Sequence, residues 1–221
     1  MTHASGPAFE LRLESRRWAV VGIAAGLVAC VTYPLIIFVP MPSEKLTVVL
    51  GAAFGPALAV ACIGLGRFLR SDQRSVVAEL GAVSNALAGA LVTGMILVQL
   101  AVRYSHAPSS DEALTDFVVT RIWDVVLGLD VAFDMFIGLG TAFFGLAMLK
   151  DRRFGKVLGW SGVILGLVLL IGFNLATFPV PPVDAGLFDP GPFTGLWYLV
   201  VVIRMAWSLR STSMTEALTS D

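Results

Sequence analysis

The sequence predicts an all-α, polytopic transmembrane bundle of six spans with both termini cytoplasmic. Three observations carry that reading. The 221 residues are 57% hydrophobic and 14% charged, with a mean hydropathy of +0.83, whereas a soluble domain carries about 25% charged residues. The apolar residues fall in six runs, each near the ~20 residues that a hydrocarbon core demands. The cations gather in alternate connections, as they do when one side of a membrane retains them.

Residues 1–17 are polar, mixed in charge and end in Arg16-Arg17. They read as a cytoplasmic tail lying at the headgroups. The apolar run that follows is too long for the core of a cleaved signal peptide and lacks a small-residue cleavage site, so it stands as the first span. The six-helix domain covers 18–209, with spans at 18–39, 46–69, 77–102, 122–149, 157–178 and 193–209, and residues 210–221 form a second cytoplasmic tail. Pro34 and Pro56 should bend the first two spans. The first connection, PMPSEK, is a tight turn, and the second holds Arg67, Arg70, Asp72 and Arg74. The third, 103–121, is the longest and most acidic. Its SSDEAL segment has the serine-then-acid pattern of a helix start, which predicts a short helix on the outer surface with Leu114, Phe117 and Val118 on its apolar side. The fourth connection is KDRRFGK, and the fifth, PVPPVDAGLFDPGP, has neither Lys nor Arg.

This arrangement puts Arg12, Arg16, Arg17, Arg67, Arg70, Arg74, Lys150, Arg152, Arg153, Lys156 and Arg210 on one side, against Lys45, Arg103 and Arg121 on the other. The cation-rich side is read as cytoplasmic. An odd number of spans would scramble the asymmetry. Trp18, Trp160 and Trp207 fall at the inner interface, and Tyr104, Trp123, Trp197 and Tyr198 at the outer one, as aromatic belts do. GLGRFLRSDQRSVVAELG and GLAMLKDRRFGKVLG share a glycine, leucine, basic-turn, leucine-glycine pattern. Either a parallel duplication or common turn chemistry accounts for it.

Several chemistries lack their residues. Cys30 and Cys62 lie in spans at depths offset by roughly 9 Å, which argues against a disulfide and for two small buried apolar residues. His3 and His106 lie outside the spans, so neither a Cys/His metal site nor haem ligation has ligands within the bilayer. No cofactor, metal or nucleic acid is implied, because no basic face follows a phosphate backbone. No nucleophile elbow, HExxH, phosphate loop or glycine-flanked acid of an intramembrane protease occurs, and no catalytic residue is assigned. The glycine pairs Gly22-Gly26, Gly51-Gly55 and Gly162-Gly166 match the small-xxx-small spacing and are read as packing within one chain.

The chemistry-bearing stretch is 121–150, RIWDVVLGLDVAFDMFIGLGTAFFGLAMLK. It can cross a bilayer, yet it carries Asp124, Asp130 and Asp134, and carboxylates at that depth need partners or a polar cavity. At 3.6 residues per turn, Asp130 and Asp134 lie about 40° apart, and Gly138, Thr141 and Gly145 continue their stripe. Arg204 falls about 16 Å below the outer edge and Asp134 about 18 Å, with Asn85 level with both. The expectation is one buried layer of Asn85, Asp134 and Arg204, with Asp130 one turn outward and Arg204 paired to an acid. The second carboxylate, close to the first in a low dielectric, is then a candidate proton carrier. Arg121 and Asp124 read as an i, i+3 ion pair at the outer helix end, Asn174 as a helix–helix hydrogen bond or a ligand, and Glu79 as a solvated acid near Arg74.

DVAFDMFIGLGTAFFGLAMLKDRRFGKVLGWSGVILG resembles the last third of a bacterial family of six-span integral membrane proteins whose domain has no assigned function. The resemblance covers about residues 120–172 and lies in the Asp-bearing fourth helix, its glycine-rich end, the basic turn and the leucine-glycine start of the fifth helix. It implies residence in a bacterial inner membrane and gives no activity. Three function classes stay open. The buried Asp/Arg/Asn site favours a protein that binds or transports a small ligand, ion or proton. The lack of reaction motifs also suits an accessory subunit docked on a protein partner or on a second copy of itself. An enzyme acting on a lipid-like substrate through its carboxylates is the least favoured.

Overall fold

The computed structural model describes the backbone of residues 7–70, 75–104 and 112–218. Among these, the ordered elements are all helical. They form six long rods: α1 (Pro7–Phe38), α2 (Glu44–Leu69), α3 (Val76–Tyr104), α4 (Glu112–Met148), α5 (Gly155–Thr177) and α6 (Gly191–Leu218). All six contain stretches long and apolar enough to cross a membrane, so the chain is a multi-pass membrane protein. Only helices whose backbone bonds close within the segment can do this without a barrel.

The ends of the rods follow from local chemistry. Ser43 caps α2, its hydroxyl accepting from Leu46 N at 3.2 Å, with Glu44 in the first turn, where the helix dipole favours an acid. Ser75 does the same for α3, accepting from Ala78 N at 3.3 Å. Gly155, at φ +81°, makes the turn into α5 that a side chain would resist. Within the rods, Thr32, Thr93, Thr141 and Thr177 turn their hydroxyls back to the carbonyl four residues earlier. That satisfies polar groups for which lipid offers nothing.

Short connections make chain neighbours pack antiparallel. The helices therefore follow one another from α1 to α5, and α6 returns to lie against α1 and to touch α5. Backbones meet where glycines clear the way. A Cβ on Gly55 would run into Gly89 O and Thr93 Oγ1, and one on Gly166 into Gly138 O. These are α2–α3 and α4–α5 contacts inside one chain, as the glycine pairs predict. The core between the rods holds Phe144, Met148, Leu170, Met205, Val92 and Val201.

Two sequence expectations are corrected. Residues 112–118 are not a separate surface helix; they are the first turns of α4, which runs unbroken from Glu112. Neither glycine nor proline interrupts the sequence between Glu112 and Leu127, so nothing ends the helix that the acidic start begins. Phe117 and Val118 are exposed, and the side chain of Leu114 lies outside the described residues. Trp197 and Tyr198 do not belong to an outer belt: they are 5% and 8% exposed and sit inside the bundle. Trp123, Trp160 and Trp207 are exposed, as belt residues should be. Glu79 pairs with Arg70, whereas Arg74, His3 and His106 lie outside the described residues.

Helix contact through glycine makes a direct prediction. Gly55→Val overpacks the α2–α3 crossing and should destabilise the purified protein by about 1–3 kcal/mol. Gly94→Ala, whose Cβ would meet nothing within 4 Å, should leave the thermal midpoint unchanged. Equal midpoints for the two variants would refute the packing account.

Candidate functional site

The predicted layer divides into three separate places. At the centre, the amide of Asn85 donates to Gly81 O at 2.8 Å, and its Oδ1 accepts from Tyr198 OH at 2.7 Å. Tyr198 OH also meets Thr141 Oγ1 at 3.0 Å, while Thr141 reaches Ile137 O at 2.7 Å. The Cys62 thiol lies beside the same hydroxyl. One tyrosine thus ties α6 to α2, α3 and α4. Asn85 and Thr141 are 0% exposed, and Gly140 leaves the space the amide occupies, since a Cβ there would overlap Asn85 Nδ2. Two hydroxyl protons serve three oxygen–oxygen contacts, so the two hydroxyls have more acceptors within reach than protons to give.

Arg204 is not in this layer, and it does not pair with Asp134. Its Nη2 donates to Arg153 O at 2.6 Å, in the connection before α5. The physical reason is register. Tyr198 stands level with Thr141, seven residues past Asp134, or about 10 Å along α4. Arg204 lies six residues beyond Tyr198, about 9 Å further in the same direction. The two charges are therefore roughly 20 Å apart along the bundle. Depths counted from the ends of the apolar runs misplace them, because α4 begins well outside its apolar run.

The acids lie in the cation-poor half. Asp134 Oδ2 accepts from Asn174 Nδ2 at 2.8 Å, and the same amide donates to Leu170 O at 3.0 Å. This is the helix–helix bond predicted for Asn174. A backbone irregularity makes it reachable. Residues Leu165–Gly172 of α5 are π-helical. Gly162, Gly166, Leu170 and Asn174 all face α4 at four-residue intervals. An α-helix would drift about 40° at each interval, turning Asn174 away. The wider π turn cancels that drift. Asp130, one turn outward and half-buried, acts electrostatically on Asp134, as does Asp189 from the last connection. Tyr33 of α1, stacked on Phe54 at 4.9 Å, is within the field of all three acids. Asp189 also accepts from Gly191 N at 2.8 Å, at the start of α6.

Neither Asp130 nor Asp134 has an ion-pair partner among the described residues. Asp124 does, in the predicted bond with Arg121 at 3.1 Å, and both of its members are well exposed. Cys30 and Cys62 are free thiols. Tyr198 and Thr141 are the residues that sequence reasoning misses as polar partners of Asn85. Thr141 stands on the acid stripe, but the belt pattern places its partner at the surface.

Comparisons with protein-family models, curated proteins and solved structures find no match to this chain.

The central node yields a stability test. Tyr198→Phe leaves Asn85 Oδ1 without its donor in the driest part of the bundle, which should cost about 1–3 kcal/mol. Thermal unfolding in detergent reads it. Thr141→Ala, which spares the tyrosine–asparagine bond, should fall by less. An unchanged midpoint for Tyr198→Phe would show that the node carries no stability.

Proposed function

We propose that this membrane protein binds a proton or a small monovalent cation at the carboxylates of α4, with Asp134 as the principal group, Asp130 as its neighbour and Asn174 as the amide that positions it. The observation that carries the reading is the partnership of Asp134. Its hydrogen bond comes from a neutral amide, not from a cation. A carboxylate inside a membrane span is strongly penalised as a bare charge, so a proton or a bound cation must neutralise it. Two carboxylates and an amide fall short of the six to eight oxygens that calcium takes, which favours the smaller load. Asp189 and the half-exposed Tyr33 supply a polar route towards the cation-poor surface. A small transporter or sensor suits such a site. Residence in a bacterial inner membrane, with the cation-rich loops in the cytoplasm, is part of the proposal. It draws on the family resemblance of residues 120–172 and on the charge asymmetry.

Thermal unfolding across roughly pH 5 to 9 tests it. One proton held by the folded state and released on unfolding makes stability fall as pH rises, with a slope approaching about 1.4 kcal/mol per pH unit. The wild type should show such a dependence and Asp134→Asn should lose it, while Asp124→Asn, at the exposed pair, should keep it. If a cation is the load, sodium or potassium chloride at fixed pH should raise the wild-type midpoint above choline chloride, and Asp134→Asn should not respond. A wild type indifferent to both pH and salt would sink the reading.

A further inference from the structure

We propose that the groove between α5 and α6 is the binding site of one acidic phospholipid whose phosphate is held by Arg204. The groove is an open depression of about 500 Å³, and its walls include Leu158, Leu165, Leu169, Phe193, Leu196 and Val200. Most of its wall belongs to the membrane-spanning helices α5 and α6, so acyl chains are what it meets in place. On α6 the wall positions 193, 196 and 200 continue at helical spacing to Arg204 and then Trp207. Phe193 to Arg204 is eleven residues, about 16 Å of helix.

One turn beyond Val200, the last wall position on α6, lie groups that suit a headgroup. Arg204 is half-buried and spends one N–H on Arg153 O. Among the described residues its other guanidinium N–H groups have no partner, and no carboxylate pairs with it. A fork of donors next to hydrocarbon, with no acid of its own, matches the geometry of a phosphate. The connection that Arg204 touches also carries Lys150, Arg152 and Lys156, all exposed. Trp160 and Trp207, 55% and 59% exposed, mark the same end as headgroup depth. Basic pockets between helices on the cation-rich side are the setting in which acidic headgroups are recognised. The site is independent of the α4 carboxylates, some 20 Å away by the count along the helices.

Native mass spectrometry of the delipidated full chain in neutral detergent tests the proposal, with phosphatidylglycerol and phosphatidylcholine of equal chain length added in equal amounts. The chain should retain one phosphatidylglycerol in clear preference to phosphatidylcholine. Arg204→Gln should weaken that retention about tenfold, the equivalent of about 1.4 kcal/mol, by removing the phosphate donors. Val200→Trp should weaken it comparably by filling the slot. Val200 is 39% exposed on the groove wall, so this variant leaves the core intact and separates lost binding from lost folding. Equal retention of the two lipids, or unchanged retention in either variant, overturns the proposal. So does glycerol phosphate displacing the lipid at equal concentration, which would mean a bare phosphate site. A dimer that Val200→Trp dissociates would assign the groove to a second copy instead.

Discussion

The hydroxyl of Tyr198 is the contact on which the register of this bundle depends. In a bilayer a buried polar group has no solvent to fall back on, so the level at which Asn85, Thr141 and Tyr198 meet is fixed by the cost of parting them. Because the tyrosine comes from the last helix and its partners from the third and fourth, this bond sets how deeply α6 sits against the rest. Sliding α6 by one turn would part Tyr198 from Asn85 and Thr141 by about 5.4 Å and strand an amide oxygen and the tyrosine hydroxyl. Apolar packing around Phe144 and Met205 tolerates small shifts; the node does not.

With α6 placed, the positions of the charges follow. Arg204 is carried to the end where the connection 149–154 lies, and it finds a backbone carbonyl there. The same connection is braced against α2: Arg153 donates to Phe68 O at 3.0 Å, lies 4.1 Å over the Phe68 ring and pairs with Asp151 at 2.6 Å. The cation-rich end is thus cross-linked by guanidinium groups across α2, the turn and α6. The opposite end holds its acids on α4 and in the last connection, joined to α5 by a single amide. One end is closed by charge-assisted bonds, and at the other Asp130 and Asp134 have no ion-pair partner among the described residues.

The features set by one helix at a time were legible in the sequence. Six apolar runs became six rods, with ends within a few residues of those expected except at α4 and the two terminal helices. Gly55 and Gly166 meet neighbouring backbones as their spacing suggests. Asn174 makes the interhelical bond expected of a lone amide in a span, and Arg121 pairs with Asp124. Features that depend on the offset between helices were hidden. Depth counted from the edge of an apolar run assumes that each helix starts there, and α4 starts near Glu112 instead. That assumption brings Asp134 and Arg204 together on paper. The π-helical stretch of α5 was equally invisible, because LGLVLLIG has no residue that forbids an α-helix. The contacts that align α5 with α4 along this stretch are tertiary, and periodicity within α5 cannot show them.

The separation of Asp134 from Arg204 has a consequence for what the bundle can do. Had they paired, each would have neutralised the other, and the pair would have fixed register and little else. Apart, neither charge is answered by the described chain. The acid lies half-buried near the end of α5 and the start of α6 with an amide for company, and the guanidinium lies towards the opposite end, on the carbonyl of Arg153. A protein that needed only rigidity gains nothing from this, since an apolar residue at either position would cost less to bury. On the two readings proposed above, a positive load would answer the carboxylate and a phosphate the guanidinium. The Tyr198 node sets the register that holds the two groups apart, one towards each end of the bundle.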